Sequence, residues 1–290
     1  MIIRQWIEEN VARGLKRSEL EILVCQILNS ERAELVLHEN DDLIAPSVQR
    51  KLDRLVERRI AGEPLAYILG YKEFYGRDFD VDENVLIPRP ETEALVDVVL
   101  EQIHKKSDRK WQIIDVGTGS GCIATTLYLG LKKENVSGKI ISLDVSKNAL
   151  EIARKNCQKL VEAEKGPRNG NSQMLKIDFQ YSDLLEKVDI MDDCETMIVA
   201  NLPYVDKDWS WLDHKSLSFE PEQALFAGKK GCELIFRLIN QVEEKVRRVR
   251  SKVYLALESD PSQQDEIINY ANNHNMNFIK KQEYCILFSC

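Results

Sequence analysis

The sequence predicts an α/β protein, a parallel sheet with crossover helices, and three observations carry that prediction. The stretch Ile113-Ile114-Asp115-Val116-Gly117-Thr118-Gly119-Ser120-Gly121 is apolar and β-branched until it meets alternating glycines. It reads as a buried strand, a tight turn and the start of a helix. From Trp111 onward, strand-like and helix-like segments alternate, the pattern of parallel strands joined by helices. Ahead of residue 63 the chain carries helical periodicity throughout, so a separate helical segment precedes the sheet.

Composition bounds the rest. A chain of 290 residues favours two domains, or one large domain with an extension. With 43% hydrophobic residues it can bury a full core, and a net charge of −8 leaves no global footprint for nucleic acid. The seven cysteines form no C-x-x-C pair and are expected to be reduced, buried thiols. Four scattered histidines make no metal spacing. Glu8, Glu9 and Arg13 interrupt the first apolar residues, so no signal peptide is expected, and no run reaches the ~20 apolar residues of a membrane span. The expectation is a cytoplasmic protein.

Residues 1–62 are read as a helical N-terminal domain. Ser18 with Glu21 forms a capping-box pattern before Leu20, Leu23, Val24, Ile27 and Leu28. Pro46 suits a first helical position, and Val48, Leu52, Leu55, Val56 and Ile60 then repeat at helical spacing. The other face of that helix carries Arg50, Lys51, Arg54, Arg58 and Arg59. It is either a solvated surface or a contact for an acidic partner or RNA. Gly62 ends the helix.

Residues 63–92 form the linker. Pro64 to Gly70 is expected to be extended, Lys72 to Val81 a hairpin around Gly76, and Leu86 to Thr92 a stiff segment held by Pro88 and Pro90. That last segment is a rigid connection or a wall of the active site. Residues 93–290 then supply strands ending at Asp115, Asp144, near Asp183 and at Ala200, followed by Val253–Leu257 and a closing antiparallel pair at 278–280 and 285–288. The loop Gly166-Pro167-Arg168-Asn169-Gly170-Asn171 stops the helix that begins near Asn148.

In a sheet wound both ways from its centre, ligands sit outside the carboxyl ends of the strands, where Asp115, Asp144, Asp183 and Asn201 fall. Asp115 in that mouth suits a ligand with an amine and a positive charge. Asp144 follows the glycines at about the 20-residue offset of an acid that binds ribose hydroxyls; a helix cap is its other reading. Asp183 is a cleft acid or a surface loop acid. Asn201-Leu202-Pro203-Tyr204 is the most informative tetrad. The Asn side chain offers an acceptor and a donor, Pro203 holds Leu202 extended so that its carbonyl is a second acceptor, and Tyr204 gives an aromatic face. Two acceptors and a ring can grip a planar NH₂ group.

These residues resemble a known family. Asp115 to Gly121 is similar to the cofactor loop of class I S-adenosylmethionine-dependent methyltransferases, which have a Rossmann-like fold, and the tetrad resembles their Asn-Pro-Pro-Tyr motif. Gly62 to Gly70, Glu73 to Phe79 with Leu86 to Glu93, and Glu220 to Leu225 with Gly228 and Gly231 resemble the PrmC/HemK family, the glutamine-N5 methyltransferases of class-1 peptide chain release factors. The resemblance implies S-adenosyl-L-methionine as cofactor. It implies a site lined by Asp115, Gly117, Thr118, Gly119, Ser120, Gly121, Asp144, Asp183, Leu184 and Asn201. Asn201 and the Leu202 carbonyl would hold the glutamine NH₂ of a Gly-Gly-Gln loop, with Pro203 and Tyr204 shaping its slot. The helical domain would dock the release factor; the chain would act as a monomer, without a membrane and without direct contact to nucleic acid.

Departures are few. Leu202 replaces the first proline of the usual tetrad, a swap that keeps the carbonyl. Glu258 to Gln263 keeps the Glu and Gln of a family segment but lacks its glycine, and Lys280 to Tyr284 lacks the common Asp and Arg. Two other readings stand beside this one. A nucleic-acid exocyclic amino methyltransferase would act on a similar planar NH₂, and would need a flipped base and a basic channel. A non-catalytic S-adenosylmethionine-binding module would keep only the pocket.

Overall fold

The computed structural model describes residues 1–38, 43–164, 175–206, 209, 214–228 and 231–290. The loop expected at residues 166–171 lies outside the described residues. The chain divides into two compact units. Residues 1–71 with a short later helix make the first, and the remainder makes the second.

The first unit contains α1 (Ile3–Ala12), α2 (Arg17–Leu28), α3 (Arg32–His38), α4 (Pro46–Ile60) and α5 (Leu65–Leu69). Its core gathers Trp6, Ile7, Leu20, Leu23, Val24, Leu52 and Val56, the apolar stripe of each helix. Pro46 stands at the start of α4, where its missing N–H costs nothing. On the basic face of α4, Arg58 pairs with Glu63 and Arg59 with Glu19.

Two local expectations are corrected here. The capping box does not form: Lys16 is the residue before α2, no side chain caps it, and Ser18 falls inside the first turn. Glu21 instead accepts hydrogen bonds from Arg17 and Arg32, each at 2.9 Å. Residues 65–69 are helical, not extended. Pro64 before the helix and left-handed Gly70 after it are its punctuation, and five residues are too few to display a 3.6-residue period.

The second unit opens with the expected hairpin, β1 (Tyr71–Phe74) and β2 (Arg77–Asp80), turning at Tyr75-Gly76. Its sheet has seven strands. They are β3 (Trp111–Val116), β4 (Gly138–Asp144), β5 (Leu175–Tyr181), β6 (Glu195–Ala200), β7 (Val253–Glu258), β8 (Asn277–Gln282) and β9 (Cys285–Ser289). The order is β5-β4-β3-β6-β7-β9-β8, with β9 antiparallel to both neighbours and the rest parallel. The helices α6 (Glu91–His104), α7 (Cys122–Lys133), α8 (Lys147–Ala163), α9 (His214–Leu217), α10 (Glu222–Leu225), α11 (Glu233–Val246) and α12 (Gln264–Asn273) complete the chain, with α9 assigned to the first unit.

Alternation along β3 explains how one strand supports two cores. Trp111 and Ile113 face a cluster with Leu95, Val99 and Leu127, while Ile114 and Val116 face one with Ile235, Leu238 and Ile239. Both faces are covered, so the central strands read as continuous apolar runs. All seven cysteines are free, and five are buried. Among the described residues, no helix is long and apolar enough to cross a membrane.

The β3–β4 pairing starts where Trp111 meets Gly138. Gly138 has φ +148°, and a Cβ there would lie 1.9 Å from the Trp111 carbonyl oxygen. Gly138→Ala therefore forces the two central strands apart and costs about 2 kcal/mol or more. Urea unfolding should show that loss as a lower midpoint.

Candidate active site

The strand order reverses direction between β3 and β6, because β3 leads on to β4 on one side while β6 lies on the other. Such a switch point leaves a crevice at the carboxyl ends of the strands. Val116 is paired with Ala200, so Gly117 and Asn201 leave the sheet side by side. A cleft of about 770 Å³, counting space open to solvent, lies here.

The turn after β3 has positive φ at Gly117, Gly119 and Gly121. At Gly119 a Cβ would meet nothing within 4 Å, so the backbone faces open cleft at that point. Asp144, at the end of β4, holds the turn from the neighbouring strand: its Oδ2 accepts from Gly119 N at 2.9 Å and its Oδ1 from Ser146 N at 2.8 Å. Burial pushes the Asp144 carboxyl above the usual carboxylate range. The helix cap belongs to Ser146, whose hydroxyl accepts from Ala149 N at 3.2 Å.

Of the residues singled out from sequence, Gly117, Gly119, Asp144, Asp183, Leu184, Asn201, Leu202 and Pro203 line the cleft. Asp115, Thr118, Ser120, Gly121 and Tyr204 stand outside that lining. Asp115 is fully buried beneath the turn. Its Oδ2 accepts from the Thr118 hydroxyl at 2.6 Å, and its Oδ1 has no partner among the described residues. Desolvation pushes its carboxyl up to about 7. Asp183 lines the cleft but pairs with Arg237 at 2.7 Å, and the next residue, Leu184, is held at φ +47° with its side chain buried.

The lining has a definite sign. Asp144 and Asp183 contribute two carboxylates, and among the described lining residues there is no lysine, arginine or histidine. Val85, Leu86, Val116, Val145, Ala149, Leu202 and Leu234 make the rest largely apolar. Such a lining favours a ligand with a flat apolar part and a positive charge over one with phosphates. The residues present therefore fit S-adenosylmethionine. The open backbone at Gly119 gives room for its approach, and Asp144 and Asp183 offer acceptors.

Asn201 donates from Nδ2 to the Thr92 hydroxyl oxygen at 3.0 Å. Tyr204 donates its hydroxyl to Glu258 Oε1 at 3.2 Å, and its backbone carbonyl accepts from Gln263 Nε2 at 2.9 Å. Burial and the neighbouring Glu258 carboxylate hold the Tyr204 hydroxyl far above the usual phenol range, so it stays a neutral donor. Sequence reading missed Thr92, Glu258 and Gln263 as parts of the site. The signal was present at Glu258 and Gln263, which sit in a segment noted for its family residues, but nothing local connects them to Tyr204.

The stiff segment 86–92 is a wall of the cleft, through Leu86. It is held from far along the chain: buried Glu220 accepts from Ile87 N at 3.1 Å and from Arg89 Nη2 at 2.6 Å. The side chain of Glu220 is 2% exposed and that of Arg89 34%. Pro221, Gln223 and Ala224, which follow Glu220, form the facing part of the lining. Glu220→Ala leaves Ile87 N and Arg89 without their acceptor. The expected cost is about 1–3 kcal/mol, read by urea unfolding, while Glu220→Gln retains part of it.

Comparison with known proteins places the chain. Residues 4–70 match the PrmC N-terminal domain family and residues 107–203 a methyltransferase domain family. A release factor glutamine methyltransferase of Koribacter versatilis is 40% identical over 232 residues, covering 80% of this chain and 75% of that protein. One of Bacillus cereus is 31% identical over 264 residues, covering 90% and 85%. Among solved structures, the hMettl16 catalytic domain in complex with a MAT2A 3'UTR hairpin matches with a TM-score of 0.49 at 15% identity, covering 81% of this chain and 80% of that one.

Proposed function

The chain belongs to the release factor glutamine methyltransferase family, and from that premise we propose that it methylates the side-chain N5 of the glutamine in a release factor's Gly-Gly-Gln loop. S-adenosylmethionine is the methyl donor. The release factor is a class-1 factor, the chain acts as a monomer in the cytoplasm, and nucleic acid takes no direct part. In this reading residues 1–62 are the docking domain, 63–92 the linker and 93–290 the methyltransferase domain. The single observation that carries the reading is the cleft at the switch point, where Asp144, Asp183 and Asn201 stand together in a lining whose described residues include no lysine, arginine or histidine.

Gly117 and Gly119 would face the cofactor with their backbone, with Thr118, Ser120 and Gly121 completing the turn and Asp115 supporting it from below. Asp144 would accept from its ribose hydroxyls, and Asp183 and Leu184 would flank its base. Bound there, S-adenosylmethionine supplies a methyl group on a positively charged sulfur.

An amide nitrogen is a poor nucleophile because its lone pair is delocalised into the carbonyl. The protein's task is to orient it and remove competing water. The Asn201 side-chain carbonyl and the Leu202 backbone carbonyl accept the two N–H hydrogens of the glutamine amide. Those acceptors turn its nitrogen toward the methyl group. Pro203 restrains Leu202, and the Tyr204 ring, tied through its hydroxyl to Glu258, bounds the slot. Direct displacement requires no covalent enzyme intermediate. The new N–C bond would form as the bond between the methyl group and its sulfur breaks, and one N–H hydrogen would then leave as a proton.

Transfer of labelled methyl from S-adenosylmethionine to a purified class-1 release factor tests this. Label should enter the Gly-Gly-Gln factor and not a Gly-Gly-Ala control. Asn201→Ala should lower turnover by about 10²–10³-fold, the range for removing one oriented hydrogen-bonding group. Equal label on both factors, or none on either with the cofactor bound, would overturn the assignment.

A further inference from the structure

Asn201 can serve the substrate only in one orientation. Its side-chain amide has an oxygen on one arm and an NH₂ on the other, and a flip exchanges them. With Nδ2 turned to the Thr92 hydroxyl oxygen, at 3.0 Å, Oδ1 is the arm left for the substrate. With the arms exchanged, the NH₂ would meet the substrate's own NH₂ and two donors would face each other. What selects the productive flip lies behind Asn201, out of reach of substrate.

Thr92 is 2% exposed and stands in the first turn of α6. Its hydroxyl carries one hydrogen. If that hydrogen points away from Asn201, the oxygen can only accept there, and the NH₂ arm is selected. The acceptor for the hydrogen is close by. Glu258, the last residue of β7, is 1% exposed. Its carboxylate faces the side chains of Thr92, Tyr204 and Asn201. Tyr204 occupies Oε1 at 3.2 Å, whereas Oε2 is buried without a partner among the described residues. A buried carboxylate oxygen without a partner is costly, and it draws the nearest free hydroxyl hydrogen.

We propose that Glu258, acting through the Thr92 hydroxyl, is the positioning residue that turns the Asn201 carbonyl toward the substrate amide. The relay runs in one direction: Asn201 donates to Thr92, and Thr92 donates to Glu258. Tyr204 donates to the same carboxylate, so one buried group orients both the hydrogen-bonding and the aromatic residues of the tetrad. Glu258 is not a catalytic residue, because it touches neither reactant. This inference deepens the proposed function and rests on it for its substrate.

The relay depends on charge. The groups around Glu258 are Glu91 on α6, Tyr204 after β6, Cys122 at the start of α7 and Cys285 opposite it on β9. Both cysteine thiols are pushed up to about 12 by burial and stay neutral. Desolvation, helped by Glu91 and opposed by the neighbouring Thr92, Tyr204 and Asn201 side chains, pushes the Glu258 carboxyl up to about 7. Above that pH both carboxylate oxygens accept and the relay is complete. Below it the carboxyl carries its own hydrogen and can donate to Thr92. The Thr92 hydrogen is then free to turn to Asn201 and favour the wrong arm. Activity therefore falls as pH drops through about 7.

The test compares wild type with Thr92→Val, Thr92→Ser and Glu258→Gln in the methyl-transfer assay, with unfolding midpoints and S-adenosylmethionine affinity as controls. Thr92→Val keeps the shape and loses the relay. Its kcat should fall by on the order of 10–100-fold with cofactor affinity unchanged, and Thr92→Ser should restore most of it. The kcat/KM profile of the wild type should have an acid limb near pH 7 that is missing in Glu258→Gln. Side-chain ¹H–¹⁵N signals of Asn201 should titrate in the same range in wild type and not in Glu258→Gln. Full activity in Thr92→Val, or an unchanged acid limb in Glu258→Gln, would overturn the relay. A wild type that methylates no release factor while Asn201 still titrates would overturn the substrate and leave the relay standing.

Discussion

The parallel pairing of β3 with β6 is the constraint on which the site depends. It sets Val116 beside Ala200, so a glycine turn and an asparagine tetrad 84 residues apart emerge together. The packing at that exit is tight. A Cβ at Gly117 would lie 3.1 Å from the Leu202 side chain. Leu202, the departure from the usual tetrad, is thus buried in the same apolar cluster as Val116, Ala200 and Ile235. Its side chain substitutes packing for some of the rigidity that a proline ring would provide.

The second theme is the burial of acids around the cleft. Asp115 and Glu258 are each almost wholly inaccessible, and each has its carboxyl pushed up to about 7. A raised folded-state value has a fixed sign: stability contributed by the protonated group is complete below the ordinary carboxylate range and is lost as pH rises toward 7. Near neutral pH the fold therefore tolerates a destabilising term at its active end. A cation bound in the cleft would offset part of that term, because it would favour the ionised carboxylates.

Long-range polar contacts do the remaining assembly. Glu220 joins the proline-rich segment to the far side of the cleft, 131 positions along the chain from Arg89. Gln263 reaches the Tyr204 carbonyl across 59 residues. Gly231, where a Cβ would lie 2.1 Å from that same carbonyl, closes the contact from a third direction. These joints explain why scattered stretches of sequence act as one structural unit around a single asparagine.

Periodicity and punctuation made most of the fold legible in the sequence. Strands buried on both faces show as apolar runs, β3 and β7 above all, and long helices such as α4 and α11 show as stripes with breakers at their ends. The glycine turn, Asp144 and the tetrad were readable because each is a local pattern with its own chemistry. Short elements escaped, since α5 has too few residues to repeat, and the supposed capping box failed because Glu21 had better partners in Arg17 and Arg32. Side-chain partnership escaped too. Nothing near Thr92 in the chain announces that Asn201 will donate to it, and nothing near Glu258 announces Tyr204. The sequence by itself determined the glycine turn, the strand-end acids and the asparagine tetrad as local patterns, and most of the segments that are strands and helices, because those are local properties of backbone preference and side-chain type. Only the tertiary structure decided which acids are buried, which carboxylate holds which hydroxyl, and that Asn201 meets Thr92, because those depend on contacts between residues that the chain keeps far apart.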